Sequence, residues 1–462
     1  RRQRQMCIRD SLMEAVTQPV RKVHLISLGC ARNRVDSEVM LGTMLGTGWQ
    51  STEEPKAADA IIINTCGFIA AAKEESIDTI LKAAELKSEK PGLKVVVTGC
   101  LTQRYKTQLA KGLPEVDLFI GTDEFTKIGK LLDDPATQGT VHAKRTHYLY
   151  NEEMPRVNTL AKHSAYVKVA EGCQHNCAFC IIPAIRGRLR SRPISSVVKE
   201  VEKLVEEGVI EINLIAQDLA AFGRDRGQDE LLPLLRALVA IPGLQWIRCL
   251  YVYPEYISDE FLDFFASEPK IVKYLDIPVQ HSSDNILKRM NRDVNHQQLR
   301  EILARVRERV PGVAIRTSVM VGFPGETEED FNDLLQFVAE QKFRHLGCFS
   351  YSQEEGTVAG RMADQIPEEV KQARLAAVMA TQKDISEELL RSYAGQVLPV
   401  LVEGPSPDHE LVWQGRLAIQ APEVDGLVYI GDGPVKAGRI QMVKITETHA
   451  YDLVGEVVGD LQ

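Results

Sequence analysis

The sequence predicts an α/β chain in three parts: an N-terminal parallel α/β sheet, a central partial barrel of six βα units, and a small C-terminal β-barrel. Three observations carry that prediction. From residue 23 short apolar runs alternate with helix-length stretches, the pattern left by parallel strands and their crossover helices. Six runs of the same kind recur in the middle of the chain, one for each unit of an open barrel. The last roughly seventy residues instead set β-rich runs between Gly, Pro and Asp breaks.

Taken in order, "VHLISLGC", "DAIIINTCG" and "KVVVTGC" each run into a helical stretch, and "VDLFIGT" extends the same sheet. Residues 132–163 are polar with scattered Pro and Gly and are expected to be a linker. The central strands are "AYVKVAEGC", "EINLIAQD", "WIRCLYVYP", "YLDIPVQH", "AIRTSVMVGFPG" and "HLGCFSYS". In "ISSVVKEVEKLVEEG" the apolar Val197, Val198, Val201, Leu204 and Val205 share one helical face, and Gly208 ends it. Thr327 and Asp330 have capping-box spacing ahead of a stripe of Phe331, Leu334, Leu335 and Val338. A helical stretch near 367–392 precedes "GQVLPVLVEG", "LVWQGRLAIQ", "GLVYIG" and "RIQMVKITET". The expected domains are therefore 22–140, 160–390 and 393–460. The first twenty or so residues are basic and polar without an apolar core, are not read as a signal peptide, and are set aside with Cys7.

At 462 residues the chain exceeds the size at which one core usually divides. No apolar run approaches the roughly 18 residues of a membrane span, so no membrane partner and a cytoplasmic location are expected. A net charge of −9 argues against broad, sequence-independent attraction to nucleic acid and leaves a basic partner open. Nine cysteines without a secretory leader point to thiols kept reduced for metal or redox chemistry.

"EGCQHNCAFC" places Cys173, Cys177 and Cys180 in eight positions at the end of the first barrel strand. A 4Fe-4S cluster has four irons to ligate; three thiolates leave one iron open to a substrate or cofactor. The competing reading is a zinc site completed by His175 or a distant residue. In the first part, Cys30, Cys66 and Cys100 each sit at the end of a parallel strand, in "SLGC", "NTCG" and "TGC". The carboxyl ends of such strands share one sheet edge, so three thiols distant in sequence converge there. Cys249 and Cys348 lie inside strands with no ligand pattern and are expected in the core.

The CxxxCxxC spacing, with Phe179 before the last Cys, resembles the radical S-adenosylmethionine (AdoMet) superfamily. Two three-Cys groups, a barrel and a terminal β-barrel together resemble the methylthiotransferase family over about residues 22–460, the last part matching its TRAM domain. That resemblance implies two 4Fe-4S clusters and AdoMet. Cys173, Cys177 and Cys180 would hold the cluster that reduces AdoMet to a 5′-deoxyadenosyl radical, and Cys30, Cys66 and Cys100 an auxiliary cluster carrying the sulfur to be methylated and delivered. The reaction replaces C–H with C–S–CH3, and the low potential it demands implies a donor such as flavodoxin.

Within that family "SLGCARNRVDSE" and "CAFCIIPAIRGRLRSRP" resemble the RimO branch, which modifies the β-carbon of an aspartate in ribosomal protein S12, more than the branch that modifies adenosine in tRNA. The tail agrees: residues 396–462 hold ten acidic against four basic residues, which suits a basic ribosomal protein better than phosphates. A metal-stabilised ribosome- or RNA-binding module without catalysis is the reading from another class.

Supporting residues follow from position. Arg186, Arg188, Arg190 and Arg192 alternate after the cluster loop and would share one face of an extended segment, available to a carboxylate. Gly322, Gly325 and Glu326 lie in a glycine-rich strand-to-helix turn resembling the family's GFPGET wording. With Phe179, and with Gln217 and Arg316 at strand ends, they are candidate AdoMet contacts. His281 is expected to cap a helix or to contact the cofactor.

Overall fold

The computed structural model describes residues 20–144, 147–407, 411–431 and 433–460. The leading residues with Cys7, and Asp408, Glu410 and Asp432 of the acidic tail, lie outside the described residues.

Strands β1 (Lys22–Ser27), β2 (Gln50–Ser51), β3 (Ala60–Thr65), β4 (Lys94–Gly99), β5 (Leu118–Ile120) and β6 (Thr140–His142) form one parallel sheet ordered β2-β1-β3-β4-β5-β6. Every residue of β3 is buried, as a central strand covered on both faces must be, and this explains its unbroken Ile run. Two separate apolar clusters cover the faces, one around Val39, Met40, Met44 and Phe125, the other around Ile80, Leu101, Leu113 and Phe119.

The expected linker is not loose. Its residues 140–142 complete the first sheet as β6, bonded to β5, and Tyr150 beyond it is buried. Arg156 then ties Glu38 of the first part to Glu200 of the second, each at 2.6 Å. Polar composition concealed this because the buried groups are charges satisfied by partners far away in sequence.

Strand β7 (Ser164–Lys168) opens the central part, a short pair β8 (Ala170–Glu171) and β9 (Arg190–Ser191) follows, and β10 (Glu211–Ile215), β11 (Trp246–Cys249), β12 (Ile271–Asp276), β13 (Ala314–Val321) and β14 (His345–Ser350) complete it. Six strands run parallel in the order β14-β13-β12-β11-β10-β7 without closing, as the six βα units required. The Ile194–Glu206 helix buries Val197, Val201 and Leu204, and Gly208 stops it in a left-handed turn. The Thr327–Asp330 capping box forms in both directions. Cys249 is buried in the core and Cys348 packs against it.

The chain ends in a closed barrel ordered β15-β16-β17-β19-β18, from β15 (Val397–Pro405), β16 (Trp413–Leu417), β17 (Val428–Ile430), β18 (Ile440–Thr448) and β19 (Leu453–Asp460). The fifth strand is one more than the apolar runs predicted, because the Gly-Glu-Val-Val-Gly stretch alternates too weakly to stand out.

This barrel inserts side chains and a loop into the amino-end side of the central sheet. Arg416 and Arg248 both reach the fully buried Glu211, at 2.6 and 3.0 Å. Asp425 accepts from Arg316 at 2.6 Å and from the Tyr274 hydroxyl at 2.7 Å, while His345 Nε2 meets the Ile419 carbonyl at 2.7 Å. Much of the tail's acidity is spent in this way. Asp425 is buried, Glu423 pairs with Arg34, Glu403 holds Arg416, and Asp460 pairs with Lys436. The count of ten against four therefore overstates the charge the barrel presents outward.

Candidate functional site

The three cysteines of the first part do converge. Cys30 stands just ahead of the Ala31–Gly46 helix and Cys100 begins the Cys100–Gly112 helix, while Cys66 follows β3. Two glycines make the approach possible. At Gly29, φ is +90° and a Cβ would lie 3.0 Å from Cys66 Cβ; at Gly67 a Cβ would strike the Leu101 backbone at 2.8 Å. Burial and the mutual proximity of the thiols push Cys66 up to about 12, and burial also raises Cys100. Burial acts the same way on Cys30, but the Arg32 and Arg186 guanidiniums outweigh it and hold that thiol below its ordinary value.

The second group lies on the loop after β8. Gly172 has φ +76°, and a Cβ there would sit 2.2 Å from the Arg188 carbonyl, so the loop doubles back only with glycine before Cys173. Ala178 N–H donates to the Met290 carbonyl and its own carbonyl accepts from Ala359, both at 2.8 Å. Phe179 packs, half-buried, against the cluster of Ile286, Met290, Phe323 and Tyr351 and so anchors the loop. Burial pushes Cys173 up to about 11 and Cys180 to about 12, and Arg292 Nη1 lies 3.8 Å from Cys177 Sγ.

Cys100 packs with Ile181 and Ile185 of the cluster loop and its short helix, so the two thiol groups share a seam between the first and central parts. A buried charge network closes that seam. Arg186 donates to Glu171 at 2.9 Å, to Asp36 at 3.0 Å and to Cys100 Sγ at 3.5 Å; Lys168 bridges Asp36 and Glu171; and Gln217 Nε2 reaches Glu171 at 3.1 Å. Two cations face two carboxylates with no water needed to balance them.

The donor sets fit iron–sulfur clusters. All eight described cysteines are free thiols, and each group offers three of them, which suits the soft irons of a cubane and leaves one corner unclaimed. His175 does not complete a zinc site: its ring stacks on Tyr253 at 3.9 Å and its Nε2 meets Asp218 at 2.7 Å. Among the described residues no three His, Cys, Asp or Glu side chains form a single-ion site. Beside the cluster loop, Gln217 Oε1 is buried without a partner, an acceptor waiting for a donor group such as an amino acid ammonium.

The remaining candidates lie elsewhere. The four arginines do not share a face, because the Ile182–Arg186 helix and the turn at Gly187 interrupt the extended segment. Arg186 and Arg192 are buried in ion pairs, Arg190 holds the carbonyls of Tyr148 and Arg186, and Arg188 is exposed. Arg316 is engaged by Asp425. Gly322 and Gly325 sit close against Lys371 and Arg289, and Glu326 is gripped by Arg374 at 2.9 Å while burial pushes its carboxyl up to about 7. His281 is buried, pushed down to about 3 by burial, and accepts from the Ser283 N–H at 3.0 Å ahead of a helix.

Sequence reasoning missed Asp36, Lys168, Glu171 and Asp218. Asn33 was also overlooked, although it lies in the first turn of the helix that Cys30 caps and so beside the thiols; its amide donates to the Leu28 and Thr65 carbonyls at 3.1 and 3.0 Å.

Family models match in the same order along the chain: uncharacterized protein family UPF0004 over residues 22–121, the radical SAM superfamily over 167–338 and the TRAM domain over 394–458. The ribosomal protein uS12 methylthiotransferase RimO of Anaeromyxobacter sp. (strain Fw109-5) is 49% identical over 439 residues, covering 95% of this chain and 93% of its own. RimO of Geobacter sulfurreducens is 47% identical, covering 95% and 99%. The chain belongs to the RimO family. As a radical SAM enzyme of that family it is a methylthiotransferase for which a 4Fe-4S cluster and AdoMet are implied. Among solved structures, the radical S-adenosylmethionine methyltransferase TsrM of Kitasatospora setae shares the fold at TM-score 0.53 and 14% identity, over 85% of this chain and 80% of its own.

Proposed function

We propose that this enzyme places a methylthio group on the β-carbon of an aspartate in ribosomal protein uS12, with two 4Fe-4S clusters, in domains bounded near 22–140, 160–390 and 393–460. The observation that carries the reading is the seam, where one group of three thiols packs against the loop bearing the other in a chain 46–49% identical to RimO proteins.

Cys173, Cys177 and Cys180 hold the cluster that meets AdoMet, and Cys30, Cys66 and Cys100 hold the one from which sulfur is delivered. When bound, the first cluster with AdoMet supplies a one-electron cleavage that yields a hydrogen-abstracting radical. The chain's own contribution is placement. Phe179 fixes the loop, Gln217 Oε1 offers an acceptor to the AdoMet ammonium, and Arg186 keeps the two thiol groups in register. Gly322 and Gly325 shape the turn that presents Glu326 at the carboxyl end of β13, while Arg316 braces the sheet through Asp425. A low-potential donor such as flavodoxin supplies the electron, in a cytoplasmic setting where thiols stay reduced. Among the described residues no helix is long and apolar enough to cross a membrane.

The test is an anaerobic assay of the reconstituted enzyme on purified uS12 and on tRNA side by side, read by mass spectrometry. A gain of one methylthio group on uS12 is expected; modification of tRNA adenosine alone would overturn the reading. In the same assay Cys66→Ala is expected to keep uncoupled deoxyadenosine formation while losing methylthio product by more than about 100-fold, the upper range for outer-shell changes at metal sites. Normal product from that variant would remove the sulfur-delivering role.

A further inference from the structure

A cleft of about 670 Å³ opens between the first part and the cluster loop, lined by Gln103, Lys106 and His147 on one side and by Cys173, Gln174, Asn176 and the 183–190 segment on the other. Cys173 is in its wall, and Gln103, also in the wall, lies one turn along the helix that begins at Cys100. In a chain of net charge −9, its lining contains Lys106, Arg188 and Arg190 and no carboxylate, a local reversal of sign that selects an anion. Arg190 is already engaged by backbone carbonyls. Lys106 and Arg188 are exposed, and neither side chain has a hydrogen bond or ion pair among the described residues. Lys106 also has φ 45° and ψ −124° inside the Cys100–Gly112 helix, a conformation costly for a residue with a Cβ and of the kind that collects at functional sites.

We propose that this cleft admits the substrate segment and that Arg188, with Lys106 opposite, binds the carboxylate of the target aspartate. The inference rests on the reading of the enzyme as acting on uS12. Its physical logic is bond length: in aspartate the reacting β-carbon is bonded directly to the carboxylate carbon, so a guanidinium pairing with that carboxylate fixes the β-carbon one bond away. An RNA phosphate is disfavoured, because backbone tracking needs an extended basic surface and the two free cations stand in one bounded cleft.

The experiment uses anaerobically reconstituted enzyme, Arg188→Gln and Lys106→Gln, with two probes: intact uS12 and uS12 whose target aspartate is replaced by asparagine. Iron content and circular dichroism establish that each variant is folded and loaded, and Arg188→Lys serves as the conservative partner. Each glutamine variant is expected to weaken binding of intact uS12 by about 10- to 100-fold, the range for a charge-assisted contact, with partial recovery in Arg188→Lys. Both are expected to bind the asparagine form as the parent does. Unaltered affinity for intact uS12 or an equal loss for both probes would each overturn the carboxylate assignment. Parent enzyme that leaves uS12 unmodified defeats the functional reading itself, whereas parent turnover with unaltered variants defeats only this inference.

Discussion

Cys177→Ala is expected to abolish deoxyadenosine formation and, with it, all methylthio transfer, while sparing the auxiliary cluster. The reason lies in ligand count. The loop from Cys173 to Cys180 supplies three thiols, and His175 is taken by Asp218 and Tyr253. Removing one thiol therefore leaves two with no neighbouring donor to replace it. Arg292, which now faces Cys177 Sγ at 3.8 Å, would face an apolar methyl and could not recruit iron in its stead. The loop itself should persist, since the Ala178 hydrogen bonds and Phe179 packing do not pass through the Cys177 side chain. Anaerobic metal analysis is expected to fall from about eight to about four irons per chain, with deoxyadenosine reduced by more than about 100-fold. Retained AdoMet cleavage in that variant would overturn the cofactor assignment.

Glu211→Gln is expected to destabilise the enzyme by about 3–5 kcal/mol, the cost of breaking a buried pair from one side. Glu211 is fully buried, as are the Arg248 and Arg416 side chains that converge on it. Ser164 donates to the same carboxylate. The isosteric amide keeps the volume but removes the charge, leaving, among the described residues, Glu403 as the remaining carboxylate partner of Arg416 and none for Arg248. Because Arg416 belongs to the terminal barrel, the loss should loosen that barrel from the central sheet, visible as faster amide exchange in β16. The pH dependence has a definite sign. Burial opposes ionisation, but the Arg416 and Arg248 guanidiniums hold the Glu211 carboxyl well below the usual carboxylate range. A depressed folded-state pKa gives a stabilisation complete above the unfolded value near ~4.3 and lost as pH falls through the folded value. Urea melts of the variant should therefore show a shallower acid limb than the parent; a difference under about 1 kcal/mol at neutral pH would refute the role.

Much of the fold was legible because its signals are local. Strand runs, the Thr327–Asp330 box and the stop at Gly208 are each set by backbone geometry within a few residues. The convergence of Cys30, Cys66 and Cys100 was legible for a related reason: parallel strands bring their carboxyl ends to one edge whatever lies between them. The buried ion network was not. Asp36, Lys168 and Glu171 carry no motif in the sequence, and the alternating arginines read as one face until the helix ending at Arg186 turned them apart.

By itself the amino-acid sequence determined the three-part architecture and the grouping of thiols in threes, since spacing and periodicity are properties of the chain alone; the class of chemistry entered through the family resemblance that those thiols carry. Only the tertiary structure decided that the acidic tail buries Asp425 and ties Glu403 and others of its carboxylates into ion pairs, that Arg186 serves the seam between the thiol groups, and that Lys106 and Arg188 face a shared cleft. A charge carries no mark in sequence of whether it will be buried or solvated. That depends on which partner the fold brings within a few ångströms, where desolvation and Coulomb attraction are both large and nearly cancel.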